Sequence, residues 1–175
     1  MTIAELLADA FRRVHESVHE AADGLTPAQL AFRPESGANS IGWLIWHLAR
    51  IQDDHIADVA GTGQVWPSPR GGPSWADRFG LPFAISATGY GHGSEAVAAV
   101  QVESAELLTG YYDAVHEQTL RFVRELTEAD LDRVVDRAWD PPVTLGVRLV
   151  SVINDDMQHA GQAAFVRGVV LRAAR

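Results

Sequence analysis

The sequence predicts an all-α protein, an up-and-down four-helix bundle, and three observations carry that prediction. Four long stretches repeat apolar residues at spacings of three and four, three of them behind a capping residue, and no stretch alternates with period two. A chain of 175 residues with 47% hydrophobic side chains is also long enough to bury one real core, so a single domain over residues 1–175 is expected.

The first long helix runs from Thr2 to about Ala22, with Ile3, Leu6, Leu7, Ala10, Phe11, Val14 and Val18 on one face and Thr2 and Glu5 forming a capping box. Leu25-Thr26-Pro27-Ala28-Gln29-Leu30 reads as a short helical turn with Thr26 as cap and Pro27 at the first position. Ser40 caps a second long helix, about Ile41–Ala60, whose inward side carries Trp43, Leu44, His47, Leu48, Ile51 and Ile56 and which Gly61 stops. Residues 61–93 lose helical period and gather Gly, Pro, Ser, Trp66, Trp75 and Tyr90, so they read as an irregular insertion or lid with one short helix near Trp75–Phe79. Trp66 and Trp75 either close over a pocket or anchor the insertion by burial.

A third helix covers about Glu103–Leu126, followed by Leu126-Thr127-Glu128-Ala129-Asp130-Leu131, which echoes the pattern of residues 25–30. After an irregular stretch around Trp139-Asp140-Pro141-Pro142, Thr144 caps a fourth long helix that runs to about Arg172. Its exposed Val169, Val170 and Leu171 suit a homodimer contact.

Composition excludes several classes of function. Fourteen basic against 23 acidic residues give a net charge of −9 with no basic stripe, which argues against nucleic acid as a partner. There is no cysteine and no lysine, so a disulfide framework, a thiolate metal site, a catalytic thiol and a Schiff-base lysine are all excluded. The start, Met1 to Arg13, lacks the basic opening and unbroken apolar core of a signal peptide, and no apolar run reaches the roughly 18 residues of a membrane span. A cytoplasmic protein with a small-molecule substrate and no membrane partner is expected.

Polar residues interrupt two of the apolar stripes. His47 lies on the second helix, and Asp155 and His159 lie four residues apart on the fourth. An i, i+4 pair shares one helix face with Cβ atoms about 5–6 Å apart, so two ligands aim at one point and a third can arrive from a facing helix. His47 taken alone reads equally as a core histidine donating to a backbone carbonyl, and Asp155 alone as a solvated residue among Asn154, Asp155 and Asp156. Together they make a three-ligand metal site with an open coordination position, the pattern of a catalytic rather than a structural site. Two imidazoles and one carboxylate favour zinc, with nickel, iron and manganese also accepting such a set.

Ser40-Ile41-Gly42-Trp43-Leu44-Ile45-Trp46-His47-Leu48 and Asp155-Asp156-Met157-Gln158-His159-Ala160-Gly161-Gln162 resemble the DinB/YfiT-like superfamily of metal-binding four-helix bundles, and within it the actinobacterial branch near the mycothiol-dependent enzymes. The resemblance spans nearly the whole chain. It implies a metal bound by one His of the second helix and two residues four apart in the fourth, commonly both His. Here Asp155 takes the first of those two places, where mycothiol-dependent members carry Glu; its shorter arm draws the ligand oxygen back, with Asp156 as the substitute. The activity implied is that of an enzyme, a metal-dependent S-transferase or isomerase using a low-molecular-weight thiol, mycothiol or bacillithiol, as co-substrate. The alternatives are a metal-dependent hydrolase and a non-catalytic, stress-related metal or small-ligand binder.

Asp54, Asp156 and His92 are the candidates for catalytic acid or base, Asp54 also as acceptor of an imidazole N–H and His92 on a glycine-flanked, mobile loop. Gln162 and Arg148 are candidates for binding the thiol or substrate, with surface ion pairing the ordinary role of Arg148 and Arg167. His15, His19 and His116 read as solvent-directed or groove-lining and are given no role.

Overall fold

The computed structural model describes residues 1–69 and 71–173. Helix α1 (Ile3–Ala22) starts where the Thr2 hydroxyl accepts the Glu5 amide and the Glu5 carboxylate accepts the Thr2 amide, and it turns Phe11, Val14, Val18 and Ala21 inward. The same reciprocal cap, Thr26 with Gln29, forms α2 (Pro27–Leu30). Behind Ser40 comes α3 (Ile41–Ala60), which is buried on most of its circumference and ends at Gly61 in the left-handed region, φ +65°. Two short helices follow, α4 (Trp75–Phe79) and α5 (Ser94–Ala99).

Helix α6 (Ala105–Val123) begins two residues later than the apolar period suggests, because the Ser104 hydroxyl takes the Leu107 amide, and it stops at Val123 rather than Leu126. Residues 126–131 echo residues 25–30 only in part: Thr127 and Asp130 make a capping box, but Glu128–Asp132 is a 3₁₀ turn. The stretch read as irregular holds a small antiparallel hairpin, β1 (Val134–Asp136) and β2 (Val143–Thr144), with strands too short for alternation to show. Helix α7 (Leu145–Ala173) completes the chain.

The four long helices form the all-α bundle. Helices α1 and α3 each pack against both α6 and α7, so α1 faces α3 across a diagonal. The connection from α3 to α6 therefore joins neighbours, while α1 to α3 crosses the bundle. On α7 the exposed apolar residues are Val147, Val150, Met157, Phe165 and Leu171; Val170, expected on the surface, is buried. Among the described residues no helix is long and apolar enough to cross a membrane.

The 61–93 segment is fastened to α3 by a buried charge pair. Arg50, with no exposed surface, donates to the Ala87 carbonyl (3.0 Å), Gln64 (3.0 Å), Asp53 (3.4 Å) and the Tyr111 hydroxyl (3.4 Å). Asp53 accepts from the Val65 and Trp66 amides, both at 2.8 Å, and from Tyr111 at 3.0 Å. Burial pushes the Asp53 carboxyl above its ordinary value, and the two amide bonds and Arg50 act against that push. Trp66 and Trp75 pack on Tyr111 of α6, at ring distances of 5.0 and 5.8 Å, so they anchor the insertion.

Asp53→Ala should cost about 3–5 kcal/mol in denaturant unfolding, because it leaves the Arg50 charge buried and three donors unanswered; a loss below about 1 kcal/mol would show the pair to be incidental. On α6, His116 is buried and its pKa falls to about 4, chiefly from desolvation and next from the His15 charge. A group depressed in the folded state is protonated first in the unfolded chain, so its contribution is complete above about pH 6.5 and is lost as pH falls toward 4. Metal-free His116→Gln should accordingly lose about 2 kcal/mol less stability than the wild type between pH 7 and pH 5, read from paired denaturation curves.

Candidate metal centre

Helix α3 presents His47 and α7 presents Asp155 and His159, one donor atom from each lying within 4.8 Å of the others. The two imidazole rings meet edge to face at 4.7 Å. His47 is nearly enclosed, His159 is 17% exposed and Asp155 33%, so the cluster is deep at α3 and open toward solvent along α7.

Each histidine has its tautomer set by a backbone carbonyl. His47 Nδ1 is 2.6 Å from the Thr88 carbonyl and His159 Nδ1 is 2.8 Å from the Asp155 carbonyl one turn back. A carbonyl only accepts, so both Nδ1 atoms carry the proton, and neither Nε2 has a hydrogen-bond partner among the described residues. Burial lowers the His47 pKa and outweighs the raising effect of the Thr88 bond, which favours the neutral ring. Asp155 supplies the matching acceptor: its Oδ2 is buried with no hydrogen-bond partner among the described residues, an arrangement that costs about 1–3 kcal/mol or more if nothing occupies it. Ligands about 2.1 Å from a zinc ion lie roughly 3–4 Å apart, so the widest pair must close by about 1 Å, a movement within the reach of the part-exposed Asp155 side chain.

The insertion builds the roof of this cluster. Trp43 stacks on His47 at 4.6 Å with 15° between the planes. Gly89, at φ +92°, crosses so close that a Cβ there would meet His47 Nδ1 at 2.8 Å and Trp46 at 2.9 Å. His92 closes a turn onto the Gly89 carbonyl (3.1 Å), accepts from Trp43 Nε1 (3.3 Å) and packs on Phe83 at 4.6 Å. Its flanking glycines thus serve a turn, and the loop expected to be mobile is packed against α3. Thr88 and Gly89 carry no sequence signature for this role, since one acts through a backbone carbonyl and the other through the lack of a side chain.

The remaining candidates divide. Asp54 accepts from Gln64 (2.7 Å), and it is Thr88, not Asp54, that receives the imidazole N–H. Asp156 points elsewhere: it is fully buried, neither oxygen has a hydrogen-bond partner among the described residues, and burial followed by the neighbouring Asp155 charge pushes its pKa well above its ordinary value. It does not join the converging set, which leaves Asp155 as the carboxylate there. Arg148 is held by His55 (2.6 Å) and by Asp136 of β1 (3.1 Å), and Arg167 caps α1 through the Asp23 carbonyl (2.5 Å). Gln162 lines a cavity of about 830 Å³ with Asn39, Leu44, Gln158 and Phe165. None of the three converging residues lines this cavity, but Gln158 precedes His159 and Leu44 lies one turn before His47.

Gly89→Ala should destabilise by about 2 kcal/mol or more, combining left-handed strain with the clash against His47. Gly91→Ala, strained alike at φ +74° but with nothing described within 4 Å, should cost about half as much. Equal losses in the two denaturation curves would show that the close approach to His47 carries no energy.

The family model described as the DinB superfamily matches residues 10–163. Among solved structures, a conserved protein from Enterococcus faecalis superposes with a TM-score of 0.89 at 32% identity, the match covering 98% of either chain. No curated protein matches significantly.

Proposed function

The chain belongs to the DinB superfamily, and from that premise we propose that it is a metal-dependent enzyme acting with a low-molecular-weight thiol as co-substrate, in a transferase or isomerase reaction, with a divalent metal, zinc first and nickel next, at His47, Asp155 and His159. The observation that carries the reading is the buried Asp155 Oδ2, 3.6 Å from His159 Nδ1 and without a hydrogen-bond partner among the described residues, beside two imidazoles whose Nε2 atoms likewise have none there. These donors suit zinc or nickel in kind, and three protein ligands leave a coordination position open. A divalent ion there would keep a bound thiol as thiolate at neutral pH, the nucleophile that a chain without cysteine or lysine cannot supply itself.

The chain's own residues account for the rest. The Thr88 carbonyl and the Trp43 ring hold His47 in one orientation, and the Asp155 carbonyl does so for His159. The amide side chains of Asn39, Gln158 and Gln162 face the neighbouring cavity beside apolar Leu44 and Phe165, a lining suited to a polar, sugar-bearing thiol. Metal-assisted hydrolysis would instead need a nearby general base. Asp54 is engaged by Gln64, Asp156 is fully buried and outside the converging set, and the His92 Nδ1 lone pair already receives Trp43, which together favour the thiol reading. A purely ligand-storing bundle is disfavoured because Trp66 and Trp75 pack on Tyr111 and fill no cavity beside His159.

Elemental analysis should find one equivalent of zinc or nickel fewer in His159→Ala than in the wild type. On the cobalt-substituted wild type, adding mycothiol or a small thiol should produce a sulfur-to-cobalt charge-transfer band that His159→Ala lacks. Equal metal content in the two proteins contradicts the ligand set; metal without any thiol-dependent band contradicts the thiol chemistry.

A further inference from the structure

Across the bundle from His47, helices α1 and α6 bring together four residues that the reading above does not use. His15 Nε2 and His19 Nε2, one turn apart on α1, both lie 2.7 Å from the same oxygen, Oδ1 of Asp113 on α6. One donor atom from each of the three lies within 4.8 Å of the others. His116, one turn after Asp113, packs its ring 4.5 Å from that of His15. It is 8% exposed, and its Nδ1 is buried without a hydrogen-bond partner among the described residues.

We propose that His15, His19 and Asp113, backed by His116, form a second binding site for a divalent transition metal, separate from the cluster between α3 and α7. Three features support it. The layout is an i, i+4 imidazole pair on one helix and a carboxylate from the facing helix, which fixes three donors with no loop involved. The donor set, imidazole with one carboxylate, suits zinc, copper(II) or nickel and does not suit calcium or magnesium, which take oxygen ligands. His116 stands behind the cluster with its ring 4.5 Å from that of His15, and its buried Nδ1, without a hydrogen-bond partner among the described residues, is a polar group that water carried in with an ion could meet.

In the metal-free form each imidazole donates its Nε2 proton to Asp113, so one oxygen serves two donors. Coordination through Nε2 needs only the other tautomer of each ring, with the proton on Nδ1, and no loss of charge from Asp113. The side chains are about one third to one half exposed, so an ion reaches them without a conformational change. His19 also edges an open groove of about 540 Å³ that carries Glu20, Asp23 and Glu106. Arg167, which also lines it, is turned onto the carbonyls of Ala21 and Asp23. The groove's carboxylates bring negative charge beside His19, while Arg12 and Arg124 act on His116 at the far side of the cluster.

The test is titration of the chelator-stripped full chain with zinc chloride, read by calorimetry and by competition with a chromophoric chelator, on the wild type, His159→Ala and the double variant His15→Gln, His19→Gln. The wild type should take one equivalent more than the double variant, and His159→Ala should retain the uptake that the double variant loses. His116→Ala should weaken that equivalent by about 10–100-fold, as loss of a supporting partner does. Because the α1 residues are part-exposed, circular dichroism should show the double variant folded as the wild type. Zinc uptake by the double variant equal to that of the wild type in stoichiometry and affinity would overturn the site. Uptake in the wild type that His159→Ala alone abolishes would overturn it too. Uptake lost in the double variant but unchanged in His159→Ala would leave this site standing and remove the one between α3 and α7.

Discussion

The buried pair Arg50–Asp53 is the constraint on which the rest of the structure leans. Both side chains are enclosed, and a pair of charges in that position is stable only if every remaining donor and acceptor is met. Here the backbone of the 61–93 segment meets them, through the Ala87 carbonyl on Arg50 and the Val65 and Trp66 amides on Asp53. That attachment carries Thr88 and Gly89 over His47, one turn before Arg50 on the same helix. A stretch of chain with little regular structure thus becomes a fixed roof, and the orientation of His47 follows from an ion pair that never touches it.

Two kinds of physical demand meet between α3 and α7. The bundle needs apolar stripes at the α3–α7 contact, and there the chain spends two imidazoles and a carboxylate. Among the described residues each imidazole is hydrogen-bonded on one nitrogen, by a carbonyl, while Oδ2 of Asp155 has no hydrogen bond and stands 3.6 Å from His159 Nδ1. Such partial satisfaction is unfavourable in an apo core and favourable around a cation, which is why the cluster reads as a binding site rather than a polar network. Asp156 next to it is fully buried with neither oxygen hydrogen-bonded among the described residues, and burial first and the Asp155 charge next push its carboxyl well above its ordinary value.

Much of the fold was legible because helix signals are local. Thr2 with Glu5, Thr26 with Gln29, Ser40 and Gly61 mark their termini within a few residues, and the inward residues of α1 recur at helical spacing. The diagonal placement of α1 and α3 was not legible, since one apolar stripe does not specify its partner and the choice lies in the connections. At the candidate site His47, Asp155 and His159 were readable from spacing. The choice between Asp155 and Asp156 was not, because neighbours on a helix differ by about 100° and the stripe sits between them. Thr88 acts through a carbonyl 41 residues from His47, which no pattern encodes. His15, His19 and His116 read as solvent-directed or groove-lining, and His19 does edge a groove; their convergence with Asp113 was not legible because a polar helix face reveals its partners only once α1 and α6 are paired.

The most direct measurement of the central claim is an anomalous difference map at the zinc absorption edge from crystals grown with zinc. The account predicts a peak bonded to His47 Nε2, Asp155 and His159 Nε2, with Thr88 still accepting from His47 Nδ1. A map with no peak between α3 and α7, in crystals where zinc is bound elsewhere on the same chain, would contradict it.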